Sequence, residues 1–231
     1  MPIQSVRTRD REWFQRNRAL VVGELVAAVL IVAGNLLGIL PVSSTPFLLI
    51  FGWLSLWLRG LGWRDVGFAR PAGWWRAVWL GVITGVAYQY ISLYAVEPLV
   101  AHFTGELPDA SLFASLIGNV QFLAFILLVT WTLAAFGEEL VFRGYLMNRI
   151  ADAGGNGRVA WALSLLVVSV LFGAAHLYQG ASGIIDSAMS GLVLGGLYFA
   201  SGRNLVAPIV AHGTYDTVAA VLMFLHKYPG M

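Results

Sequence analysis

The sequence has no cysteine, a single lysine and few charges of either sign. The missing cysteine excludes a disulfide framework, a thiolate metal site and a cysteine nucleophile. Only 11% of the 231 residues are charged, 58% are hydrophobic, and the mean hydropathy is +0.76. Soluble domains run to about 25% charged and about 45–50% apolar residues, so this composition excludes an ordinary soluble domain. It also excludes a disordered chain, and there is no collagen-like glycine period. No basic tail with interleaved aromatics is present, so no nucleic-acid partner is expected. The remaining class is a single integral membrane domain, residues 1–231, built of helices.

A membrane-crossing helix needs about 20 mostly apolar residues. Segments of that kind lie at 19–40, 44–58, 77–100, 118–136, 159–177, 181–200 and 205–225. The fold class expected is therefore an all-α, polytopic membrane helix bundle of about seven spans, within a range of six to eight. The second segment is short. The stretch 137–150 is amphipathic and either continues the fourth helix or bends from it near Gly137. The N-terminal basic stretch leads into an apolar run without a clear cleavage site, which points to a retained first span.

Thirteen of the fourteen basic residues are arginine, and they cluster. Arg7 to Arg18 precede the first span, Arg59 to Arg76 follow the second, Arg143 to Arg158 follow the fourth, and Arg203 follows the sixth. Cytoplasmic loops carry the excess of Lys and Arg. A cytoplasmic N-terminus puts all of these on one side, and loops 41–43, 101–117 and 178–180 on the other carry none. Lys227 alone breaks the pattern. The expected location is the plasma (inner) membrane.

Ionisable residues inside spans are costly and by default mark function. Glu24 and Asp186 read as structural, near the ends of spans one and six. The rest form three motifs: Glu138-Glu139-Leu140-Val141-Phe142-Arg143, Phe172-Gly173-Ala174-Ala175-His176, and His212-Gly213-Thr214-Tyr215-Asp216. Glu139 and Arg143 are spaced i,i+4 and can pair, as can His212 and Asp216. Glu138 is rotated about 100° from Glu139, which frees it for chemistry. A carboxylate and two imidazoles in a low-dielectric space suit hydrolysis: the Glu takes a proton from water while an imidazole positions that water. At about 1.5 Å per residue, Glu138 lies roughly 18 Å, His176 roughly 25 Å and His212 roughly 13 Å from the cytoplasmic loops. The three depths disagree, and tilt or a broken helix must absorb the difference.

The ordered triple resembles the CAAX-protease and bacteriocin-processing (Abi) family of intramembrane endopeptidases. The likeness covers residues 118–220 and rests on Glu138, Glu139, Arg143, Phe172, His176, His212 and Asp216. It implies peptide-bond hydrolysis within the membrane, with Glu138 and His176 activating water and His212 with residue 216 stabilising the oxyanion. Glu139, Arg143 and Phe172 would support them. The eukaryotic-type prenyl-protein proteases carry Asn where this chain has Asp216. An ionised Asp cannot donate to an oxyanion, so Asp216 reads as an orienter of His212 or as a protonated acid. The expected partners are a peptide or protein substrate reached within the membrane and the lipid bilayer. Substrate prenylation and oligomeric state are not specified.

Two cofactor readings stay open. Glu138, His176 and His212 could form a two-His, one-carboxylate zinc set with an open position, or Glu138 could act as a metal-free base; the balance leans to the metal-free form, there being no HExxH pair. Two rival functions also stand. Intramembrane Glu and His build proton relays, which suits a transporter or an immunity scaffold. The run Gly180-Ala181-Ser182-Gly183 with Ala211-His212 resembles the rhomboid serine-protease signature, with Ser182 as nucleophile.

Overall fold

The computed structural model describes residues 17–40 and 43–229. The arginines at 7, 9, 11 and 16 lie outside the described residues, as do positions 41 and 42 of the loop between the first two spans. The described chain is helical, with no strand among the described residues.

Helix α1 is Arg18–Leu36 and α2 is Thr45–Leu58. Helix α3, Trp74–Ile91, runs through a π-turn at Ser92–Val96 into α4, Glu97–Thr104. Helix α5, Val120–Val129, continues through π-helical stretches Thr130–Glu138 and Leu140–Leu146 into α6, Met147–Ala153. Helices α7 (Arg158–Ala174), α8 (Gly180–Ala200) and α9 (Val206–Phe224) complete the bundle. Among the described residues, five helices are long and apolar enough to cross a membrane: Arg18–Leu36, Trp74–Thr104, Val120–Ala153, Leu177–Ala200 and Val206–Phe224. Thr45–Leu58 and Arg158–Ala174 are apolar but shorter.

One alternative is decided and one expectation changes. The stretch 137–150 continues the fourth helix and does not bend from it at Gly137; a 34-residue helix runs through it. Widened turns replace the break, and Gly137 instead admits α2, since a Cβ there would meet Thr45 Cγ2 at 2.9 Å. The segment at 159–177 ends early, at Ala174. His176 has φ −101° and ψ 21°, outside helical geometry. It therefore sits on the turn between α7 and α8, and a count at about 1.5 Å per helical residue does not carry through to it.

The bundle is apolar on its outside and polar within, as a lipid solvent demands. Leu30, Trp57, Trp79, Ile83 and Val170 are exposed, whereas Arg59, Gln89, Glu97, Glu139, Arg143 and His212 are buried. Glu24 joins two helices. Its carboxylate accepts from both terminal nitrogens of Arg59, with Nη2 at 2.8 Å, and from Ser55 Oγ at 2.7 Å, which ties α1 to α2.

Small residues set the closest helix approaches, as membrane packing favours. At Gly81 a Cβ would lie 2.7 Å from the Ala207 carbonyl, and at Gly85 it would strike that of Ala211. Helix α3 therefore packs backbone to backbone on α9 and holds the His212 turn. At Gly173 a Cβ would strike the Ile184 carbonyl and come within 2.9 Å of Ala188 Cβ. That contact presses α7 on α8 one turn before His176.

Candidate active site

Glu138 and Glu139 stand at the junction of the two π-helical stretches. Such wide turns recur at functional sites. Here neighbouring carboxylates have separate partners. Glu139 and Arg143 are fully buried, and Arg143 Nη1 donates to Glu139 Oε1 at 2.7 Å. Arg143 Nη2 donates to the Gly191 carbonyl of α8 at 3.2 Å, and the guanidinium lies 4.6 Å from the Phe172 ring centroid. This one side chain thus ties the π-helical stretch to α7 and α8. Glu138 accepts only a long bond from Thr45 Oγ1, 3.4 Å to Oε1, and its Oε2 is buried without a partner.

The two imidazoles are held differently. His176 Nδ1 lies 2.8 Å from the carbonyl of Phe172, so it donates there and fixes the tautomer. Nε2 is left as the reactive nitrogen. His212 Nδ1 lies 2.9 Å from Glu139 Oε1, and its Nε2 lies 3.6 Å from Asp216 Oδ2. Phe172 packs between them, its centroid 4.9 Å from that of His176 and 5.8 Å from that of His212.

Glu138, Phe172, His176, His212 and Asp216 all line one cavity of about 270 Å³. Glu139 and Arg143 do not line it and stand behind the wall. Glu138, His176 and Asp216 are half-buried. The loop preceding α5 also contributes to the wall through Pro108, Asp109 and Ala110. Asp109 Oδ1 accepts from the Ser111 backbone N–H at 2.8 Å, which holds its carboxyl below the usual range.

Residues 120–218 match the family model described as type II CAAX prenyl endopeptidase, Rce1-like. The match spans all three motifs. It bears out the resemblance to the CAAX-protease family and supports an intramembrane protease in general. No curated protein and no solved structure matches the chain.

Within this Rce1-like region the geometry separates the candidates. Ser182 does not line the cavity with His212. Its hydroxyl donates to the Glu106 carbonyl and pairs with Thr104 Oγ1 at 2.6 Å, which removes the partner a rhomboid-type nucleophile needs. The zinc reading was tested on the donor atoms. Among the described residues, no group of three or more His, Asp or Glu side chains is arranged to hold a metal ion. His212 has Glu139 on one nitrogen and Asp216 beside the other. The set as placed does not fit a three-ligand site.

Sequence reasoning missed three relationships. It left Asp216 as an orienter of His212 or a protonated acid and did not foresee that Glu139 makes the shorter contact with that imidazole. It read Asp186 as structural, near the end of span six, and did not foresee that this side chain, 6% exposed, lines the cavity. It passed over Glu97, which is 1% exposed; an acid inside an apolar run of that length was the signal available.

Proposed function

We propose that the protein is an intramembrane endopeptidase in which Glu138 is the general base. The supporting observation is that a carboxylate with an unpartnered oxygen shares one cavity with two imidazoles whose Nδ1 atoms are already fixed. Water in the cavity attacks the scissile carbonyl carbon. Glu138 takes its proton, and His176 Nε2 orients it by accepting its second hydrogen. An imidazole flanked by Glu139 and Asp216 can carry protons on both nitrogens. His212 Nε2–H then faces the cavity as a donor to the oxyanion, which answers the replacement of Asn by Asp216. When the C–N bond breaks, Glu138 returns the proton to the leaving amine, giving a carboxylic acid and an amine that exchange the remaining proton to leave as carboxylate and ammonium.

The arginine distribution favours a cytoplasmic N-terminus in the plasma (inner) membrane. The test is cleavage of fluorogenic peptides, prenylated and unprenylated, by detergent-purified protein beside its Glu138→Gln variant. Cleavage lost in the variant supports the reading. Equal cleavage by both proteins overturns the choice of base.

A further inference from the structure

The cavity has a second polar end that hydrolysis does not use. Asp186 Oδ1 accepts from Ser92 Oγ at 2.6 Å, and Oδ2 accepts from Tyr215 Oη at 3.3 Å. Behind Ser92 lies a second acid: Glu97 Oε1 is 3.5 Å from Ser92 Oγ and accepts from Tyr228 Oη at 2.8 Å. The other Glu97 oxygen, Oε2, is buried with no partner, on a side chain 1% exposed. Among the described residues neither Asp186 nor Glu97 has an ion-pair partner, in contrast to Glu24, Glu139 and Asp152. Asp186 and Tyr228 line the same cavity as Glu138.

The charge of the whole cavity points the same way. Its wall carries Asp109, Glu138, Asp186 and Asp216, and no Lys or Arg. The two imidazoles on this wall, His176 and His212, belong to the hydrolytic group with Glu138, and a low-dielectric cleft in which acids predominate concentrates cations. Two buried acids sharing a hydroxyl, with an oxygen unsatisfied, are costly as carboxylates, and either protonation or a cation joining them relieves that cost. Apolar residues on the same wall, Phe113, Ile126 and Met223 among them, suit an aliphatic stem.

We propose that the Asp186 end of this cavity is a subsite for a cationic group of the substrate, an ammonium or guanidinium on a residue flanking the scissile bond. This rests on the endopeptidase reading and names its substrate class. Asp186 makes the direct contact, and Glu97 reinforces it through Ser92. A free C-terminal carboxylate is repelled from this end.

Two measurements test the proposal. In the first, the thermal midpoint of the detergent-purified protein is followed with n-octylammonium, with octanol, and with sodium chloride against choline chloride at equal ionic strength. A ligand that binds only the folded state raises the midpoint. Octylammonium should raise it, octanol should not, and Asp186→Asn should remove the response. Glu97→Gln should reduce it, and serves if Asp186→Asn fails to fold. In the second, cleavage is compared for peptide pairs differing by Lys against norleucine at single positions. The lysine peptide should lead by about tenfold at one position, as expected when a charged hydrogen-bonding partner is lost, and Asp186→Asn should erase that ratio. Equal shifts by octanol, or a response that survives Asp186→Asn, overturn the subsite and make the two acids neutral hydrogen-bonding scaffold. An Asp186-dependent shift produced by sodium alone assigns the site to an inorganic cation and overturns the substrate role. An Asp186-dependent octylammonium shift with no cleavage of any peptide keeps the cation subsite and removes the endopeptidase reading instead.

Discussion

His212 on α9 and Glu139 in the π-helical stretch are 73 residues apart in sequence and meet at 2.9 Å, Nδ1 to Oε1. The same Glu139 oxygen accepts from Arg143. One carboxylate therefore fixes both an imidazole on the cavity wall and the guanidinium that ties three helices together. Chemistry and packing are joined at a single atom, and variants on either side of it should separate the two.

Glu138→Gln should abolish turnover, by about 10²–10⁴-fold if only the base is lost, with an unchanged thermal midpoint. The amide keeps the shape and can still bond Thr45, so packing persists. The assay should be run with and without a chelator. Chelator-sensitive cleavage would show that a metal takes part and would require donors to rearrange from their present partners.

Arg143→Ala should lower stability. It leaves Glu139 as a buried charge with His212 alone, and breaking a buried pair typically loses about 3–5 kcal/mol. It also removes the bond to the Gly191 carbonyl and the packing over Phe172. A drop in the thermal midpoint, read by light scattering or tryptophan fluorescence, checks this. An unchanged midpoint would mean that the guanidinium is dispensable to the bundle.

Ser182→Ala should retain peptide cleavage. The hydroxyl is held by the Glu106 carbonyl and Thr104, away from the cavity. Its loss should destabilise the protein by no more than about 1 kcal/mol, the net worth of one hydrogen bond, because the Glu106 carbonyl still accepts from Thr104 Oγ1 at 3.1 Å. Loss of cleavage in a folded variant would revive a serine nucleophile.

Much of this arrangement was legible because it is local. Glu139 with Arg143 and His212 with Asp216 are i,i+4 pairs that spacing alone proposes, and long apolar runs mark the crossing helices. Contacts between distant segments were not legible. Glu24 with Arg59, His212 with Glu139 and Ser92 with Asp186 each join different helices, and nothing in the local pattern specifies which helices touch. The π-helical stretches at 130–146 were invisible for another reason: the residues there have ordinary helix propensities, and tertiary packing sets the wide turns. The end of α7 at Ala174 carries no proline, and its last three residues, Phe172, Gly173 and Ala174, continue an apolar pattern into the turn.

The α7–α8 contact at Gly173 offers the last prediction. The Cβ of any other residue would press on the Ile184 backbone and on Ala188, which cannot yield as a flexible side chain would. Gly173→Ala should therefore push α7 away from α8 one turn before His176. His176 has few restraints of its own, a bond to the Phe172 carbonyl and ring contacts with Phe172 and Tyr178. A displacement of this turn should move Nε2 from the water while Glu138 stays in place. The expected result is a fall in kcat larger than the fall in thermal stability implies, because misplacing a reacting group by about 1 Å can reduce rate about 10²-fold. Steady-state cleavage beside a melting curve for the same preparation checks it. A variant that loses midpoint but keeps kcat would show that the turn tolerates the shift and that His176 is not positioned by this helix contact.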